Sequence, residues 1–166
     1  MTNITNAYLH RAELWLLITT VAYLLMNGAQ IFETAVLVPK WTSAPPDSFV
    51  LLKTPYGVDL KTFWIAAHSL HEVTFLLAIV FCWKLEIRNP LLVLFAIHFA
   101  VRVWTLSYFA PNVIEFQAIA SGAPAPGDLL DRTTLWRNLN YLRVGIFMAV
   151  NAGLILVYLR VSRLVS

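Results

Sequence analysis

The chain has 166 residues, 59% of them hydrophobic and 13% charged, with a formal net charge of +3 at pH 7. A soluble domain carries roughly 25% charged residues, so this composition excludes an ordinary soluble enzyme, and the lack of any basic block excludes a nucleic-acid-binding role. The single cysteine, Cys82, excludes an internal disulfide framework.

In chain order, the N-terminal stretch lacks a compact basic start and a small-residue cleavage site, and is expected to begin a retained span rather than a signal peptide. Four apolar runs follow at about 14–38, 62–83, 90–110 and 135–160, each long enough for the ~20 residues a bilayer needs. Pro39 is expected to close the first span. Asp59 or Thr62 would cap the second, and Asn89 with Pro90 would open the third, which Pro111 ends. Asp131, Thr133 and Thr134 are candidate caps for the fourth. The predicted fold is an all-α integral membrane protein, a single domain over 1–166 forming a four-transmembrane-helix bundle with two long ordered outer loops. Trp15, Trp41, Trp64, Trp83 and Trp136 fall near predicted span ends, as an aromatic belt requires, whereas Trp104 lies within the third span.

The connection "KLEIRN" is tight and basic, whereas those at 39–61 and 112–134 are long and carry mixed charges. The excess of basic residues on the short side predicts cytoplasmic termini. The apolar pieces "FVLL" and "VIEFQAIA" within the long connections predict caps packed over the mouth of the bundle.

A polar layer runs through the outer half of the predicted spans. Asn27, Gln30 and Glu33 lie in the first; His68, His71 and Glu72 in the second; His98 and Arg102 in the third; Asn140 and Arg143 in the fourth, with Asn151 deeper. On each helix these residues recur at spacings of three and four and so share one face. Four inward polar stripes predict a pocket, in which Glu33 and Glu72 offset Arg102 and Arg143. Charged side chains at bilayer depth cost at least ~2.5–3.5 kcal/mol on insertion scales, so they mark function by default.

Glu33, His68, His71, Glu72 and His98 are the donors a metal would find, yet "HSLHE" occurs once and no second Glu-x-x-His completes a di-iron pattern. By helix depth, His98 falls about a turn below His71, which disfavours a haem between them. No metal or haem is assigned; a metal- or haem-binding redox module, or an accessory subunit of a larger membrane complex, is the alternative. The leading expectation is a lipophilic small molecule as substrate, a flat phenol- or quinol-type compound. His71 would act as base, oriented by His68 and Glu72, with Arg102 and Arg143 holding the oxyanion. Asn27, Gln30, Glu33, His98, Trp104 and Asn140 would line the binding site, and Phe75, Tyr108 and Phe147 would add aromatic surface.

The stretches "NGAQIFETAVLVPKW" and "LWRNLNYLR" resemble a small four-span membrane family that includes the anthrone oxygenases. In that pattern a small residue and a proline end the first span, matched here by Gly28 and Pro39. A Trp/Arg–Asn–x–x–Arg stretch opens the last, matched by Trp136, Asn138 or Asn140, and Arg143. The histidine cluster lies outside the matched motifs. The resemblance implies oxidation of a polyphenolic compound without a bound cofactor. In the fourth span, Gly145, Ala149 and Gly153 form a small-residue ridge on the side opposite Arg143, which predicts a contact with a second copy or a partner subunit.

Overall fold

The computed structural model describes residues 5–53, 60–120, 122, 124 and 126–165. Among these, the regular structure is entirely helical. Four helices are long and apolar enough to cross a membrane: α1 (Asn6–Trp41), α2 (Leu60–Phe81), α3 (Arg88–Ala118) and α4 (Leu129–Val165). Between α1 and α2 lies a short 3-10 helix, Asp47–Leu52.

The helices outrun the predicted spans because a hydropathy window measures the thickness of the hydrocarbon layer, not the length of the helix. At 1.5 Å per residue, the 37 residues of α4 extend about 55 Å, against ~30 Å of hydrocarbon. Thr5 caps α1 through its side-chain oxygen, which accepts from the Tyr8 amide at 3.3 Å. The predicted starts of the later helices shift. Helix α3 begins at Arg88 behind Ile87, which makes no side-chain cap, so Pro90 falls in the first turn instead of at its first position. Asp131, Thr133 and Thr134 lie inside α4, where the Thr133 hydroxyl donates back to the Leu129 carbonyl at 3.0 Å. Asp59 lies outside the described residues.

Neither Pro39 nor Pro111 ends its helix. A proline ring clashes with the carbonyl four residues back and cannot donate a backbone bond. Both helices meet this with a single π turn immediately upstream, Glu33–Leu37 in α1 and Thr105–Phe109 in α3. The Val38 amide reaches the Glu33 carbonyl, and the Ala110 amide reaches the Thr105 carbonyl, each five residues back. The wider turn lets the chain pass the proline and continue as α-helix, to Trp41 and to Ala118.

Two cores result. The larger runs along the bundle, with Leu16, Tyr23, Phe75, Leu91, Phe147 and Leu154 fully buried. The smaller, beneath the long connections, joins Val38, Trp41, Phe49, Phe109, Phe116, Leu129 and Trp136. Phe49 of the 3-10 helix stacks on Phe116 at 5.3 Å, and Trp41 meets Trp136 edge-on at 4.8 Å. The Gln117 side-chain amide donates to the Leu52 carbonyl at 3.0 Å, and the Lys53 ammonium donates to the Ile119 carbonyl. The expected packing of "FVLL" and "VIEFQAIA" over the bundle mouth is therefore seen, though the second piece is helix, not loop.

Trp41 and Trp136 are core residues, 3% exposed, and not members of an interfacial belt. They sit inside helices that continue past the predicted span ends, and the Trp136 indole donates to the Phe109 carbonyl at 3.2 Å. The small-residue ridge of α4 is also split. A Cβ on Gly153 would lie 2.5 Å from the Leu94 side chain, so this glycine lets α4 approach α3 within the chain. Gly145 and Ala149 stay exposed.

Candidate functional site

All four helices deliver their polar stripes to one region at the capped end of the bundle, where the smaller core meets the larger. Asn27, Gln30, His68, His71, His98, Asn140 and Arg143 are buried, Arg143 being the most exposed of them at 9%. Helical periodicity alone explains this, since each residue lies on the face that its apolar neighbours already turn inward.

The region divides into an open pocket and a cluster below it. The pocket has a volume of about 670 Å³. Its polar wall carries Gln30 and Glu33 from α1, His68 from α2, Arg102 from α3 and Arg143 from α4; Trp41, Trp64, Phe109 and Trp136 form its aromatic wall. Arg102 Nε donates to Glu72 Oε1 at 2.9 Å, tying α3 to α2. Arg143 is held differently. One amino group donates to Asn140 Oδ1 at 2.6 Å, the other lies 3.5 Å from the Thr105 hydroxyl, and its guanidinium sits 4.4 Å from the centre of the Phe109 ring. The Asn140 amide in turn donates to Thr34 Oγ1 at 3.0 Å. Glu33 acts on Arg143 through its field, but among the described residues no carboxylate oxygen comes within 4.0 Å of Arg143, and its Nε has no partner.

The cluster below holds His71, His98 and Tyr23, and His71 also lines a second, smaller pocket of about 300 Å³ with Met26 and Leu70. The Tyr23 hydroxyl is 3.2 Å from His98 Nδ1, and the His71 ring lies 4.3 Å from Tyr23 and 4.7 Å from His98, edge-on to both. Both ring nitrogens of His71, and Nε2 of His98, lack protein partners. The two imidazole rings are therefore in direct contact, although the residue count along each helix had set His98 about a turn below His71. Sequence reasoning also missed Tyr23, which shares the inward face of α1 with Asn27 one turn on and Gln30 two turns on, and was legible by that spacing.

Several expected site residues fall elsewhere. His71 and His98 lie below the pocket, and Trp104 packs at 5.0 Å on Phe109 instead of lining it. Phe75 and Phe147 belong to the larger core, and Tyr108 packs against the smaller one. Phe109, four residues beyond Thr105 and seven beyond Arg102, continues their inward stripe and is the ring that is buried, at 1% exposure. Asn27 is committed to the Phe147 carbonyl at 3.2 Å through its amide nitrogen.

The metal reading does not fit this arrangement. Among the described residues no three His, Cys, Asp or Glu side chains converge to hold an ion. Glu72 is engaged by Arg102, and His71 and His98 are in ring contact, leaving no room for a porphyrin between them. No family model, curated protein or solved structure matches the chain.

Proposed function

We propose that the chain is a multi-pass membrane oxidoreductase, similar to the anthrone oxygenases, acting on a small flat phenol- or quinol-type compound in this pocket. Both termini face the cytoplasm, and the capped end faces the opposite side. The observation that carries the reading is Arg143, a buried guanidinium without an ion pair that lines a pocket also holding His68. A buried cation of this kind is stabilised by an anion, and a preorganised donor is most useful where negative charge develops.

The base moves from His71 to His68, because His68 lines the pocket and His71 does not. His68 Nδ1 is buried and has no protein partner, and the imidazole as a whole lines the pocket. It would take the hydroxyl proton of the bound quinol, leaving an oxyanion beside Arg143, with Arg102 contributing to the positive field. Loss of two electrons and two protons to dioxygen then yields quinone and hydrogen peroxide. The indole and phenyl faces of Trp64, Phe109 and Trp136 suit a flat ring.

The test uses purified protein in lipid nanodiscs, with anthrone, 1,4-naphthoquinol and simple phenols as substrates, following oxygen uptake and quinone absorbance. His68→Ala and Arg143→Gln are each expected to lower turnover by about 100-fold or more, the usual scale for losing a positioned base or oxyanion donor. Wild-type turnover in the Arg143→Gln protein, or no oxidation above empty nanodiscs for any compound, would overturn the reading.

A further inference from the structure

The pocket has an opening that selects for more than a flat ring. Ile65 of α2 and Leu106 and Ile114 of α3 line it, yet these side chains are 59%, 62% and 63% exposed on the outer surface of the bundle. A residue that both lines a cavity and lies on the surface marks its mouth. Here the mouth is a gap between α2 and α3, which touch far less than the other sequence neighbours in the bundle. The Arg102–Glu72 pair crosses the same gap and forms its lower edge, with the Glu72 side chain 39% exposed. On helices that cross a membrane, which length and composition allow here, such aliphatic lips would face hydrocarbon, not water.

The interior has the opposite character. Among the described lining residues, Lys53, Lys61, Arg102 and Arg143 are cations and Glu33 is the carboxylate. Glu72 lies outside the lining and neutralises Arg102; among the described residues, Lys53 and Arg143 outnumber Glu33, so the lining keeps an excess of positive charge. A cationic chamber that opens sideways between aliphatic lips fits a ligand with two ends.

We infer that the ligand of this pocket is an amphipathic anion. Its one- or two-ring acidic head lies between Arg143 and Lys53, and its alkyl tail leaves between α2 and α3, past Ile65 and Leu106, into the lipid. This deepens the proposed function and rests on it for the head-binding site, but the tail and its route are independent of any oxidation step. The volume of about 670 Å³ is within the ~300–1,000 Å³ of small-molecule sites, enough for the head without enclosing a long chain.

The full chain in nanodiscs would be titrated with salicylate and with 5-dodecylsalicylate, following energy transfer from tryptophan to the probe, with affinities referred to aqueous concentration. Wild type is expected to bind the dodecyl probe at least about 30-fold more tightly, the effect of two or three buried methylenes. Leu106→Trp and Ile65→Trp, which narrow the gap from either side, should bring the ratio of the two affinities to within about 3-fold. Arg143→Gln should weaken both probes while leaving the ratio high. A wild-type ratio near one, or a ratio that both tryptophan variants leave intact, would overturn the tail route while salicylate binding dependent on Arg143 kept the head site. Failure of wild type to bind either probe would overturn the inference and the proposed function together.

Discussion

At the scale of single residues, the site is defined by how each buried charge or ring is satisfied. Arg102 has a carboxylate; Arg143 has only an amide oxygen, a distant hydroxyl and a ring face. Two guanidinium groups that look equivalent in sequence are thus unequal in structure, and the one without an ion pair is the one to which the proposed function assigns the anion. Tyr23 occupies the centre of the histidine cluster, fully buried, and its hydroxyl is the protein partner of His98. Tyr23→Phe keeps the ring volume but leaves His98 Nδ1 without that partner. A buried polar group left unsatisfied costs about 1–3 kcal/mol, so the variant should unfold at a lower temperature in detergent. An unchanged melting temperature would show that the hydroxyl contributes nothing.

At the scale of elements, the two π turns set the architecture of the capped end. Each stands directly before a proline, in helices running the same way, and each begins at a residue that lines the pocket, Glu33 or Thr105. Beyond the two turns, Trp41 and Phe116 pack in the smaller core. Bidentate pairing of Arg132 with Glu115, at 2.8 and 2.6 Å, fastens the start of α4 to the end of α3. The 3-10 helix is held mainly by Phe49 against Phe116 and Trp41. Truncating a buried phenylalanine costs about 3–5 kcal/mol, yet Phe49 contacts the smaller core alone. Phe49→Ala should therefore release the segment 42–53 and leave the four-helix core intact. Faster limited proteolysis in that segment, with far-UV circular dichroism unchanged, is the expected result; loss of helix signal would show that the two cores are coupled.

At the scale of the whole molecule, the arrangement is asymmetric along its axis. The tight connection carries Lys84 and Arg88, whereas the long connections cover the pocket. Under the proposed orientation, the capped end meets the non-cytoplasmic side. Impermeant maleimide added to intact cells should label a cysteine placed at Gly127 and should not label one placed at Lys84. Gly127 is exposed in the long connection before α4, with open space around its Cα, and Lys84 is exposed in the tight one, while native Cys82 is buried. Labelling in the reverse order would invert the topology and place the pocket at the cytoplasmic face.

The four helices and the inward faces of Asn27, Gln30, His68, His71, Arg102, Asn140 and Arg143 were legible in the sequence alone. Helix content follows from uninterrupted apolar length, and facing follows from a period of 3.6 residues; both are local properties of the chain. The apolar pieces of the long connections were legible for the same reason, since Phe49 and Phe116 have no other way to leave water. What only the tertiary structure decided was the relative height and rotation of neighbouring helices. That brought the His98 ring against His71, gave Arg102 the partner that Arg143 lacks, and placed His68 rather than His71 in the pocket. It also decided that Pro39 and Pro111 would be passed by π turns. These outcomes depend on interhelical shift and on side-chain packing between segments far apart in the chain, and a pattern read along one strand of sequence carries no record of either.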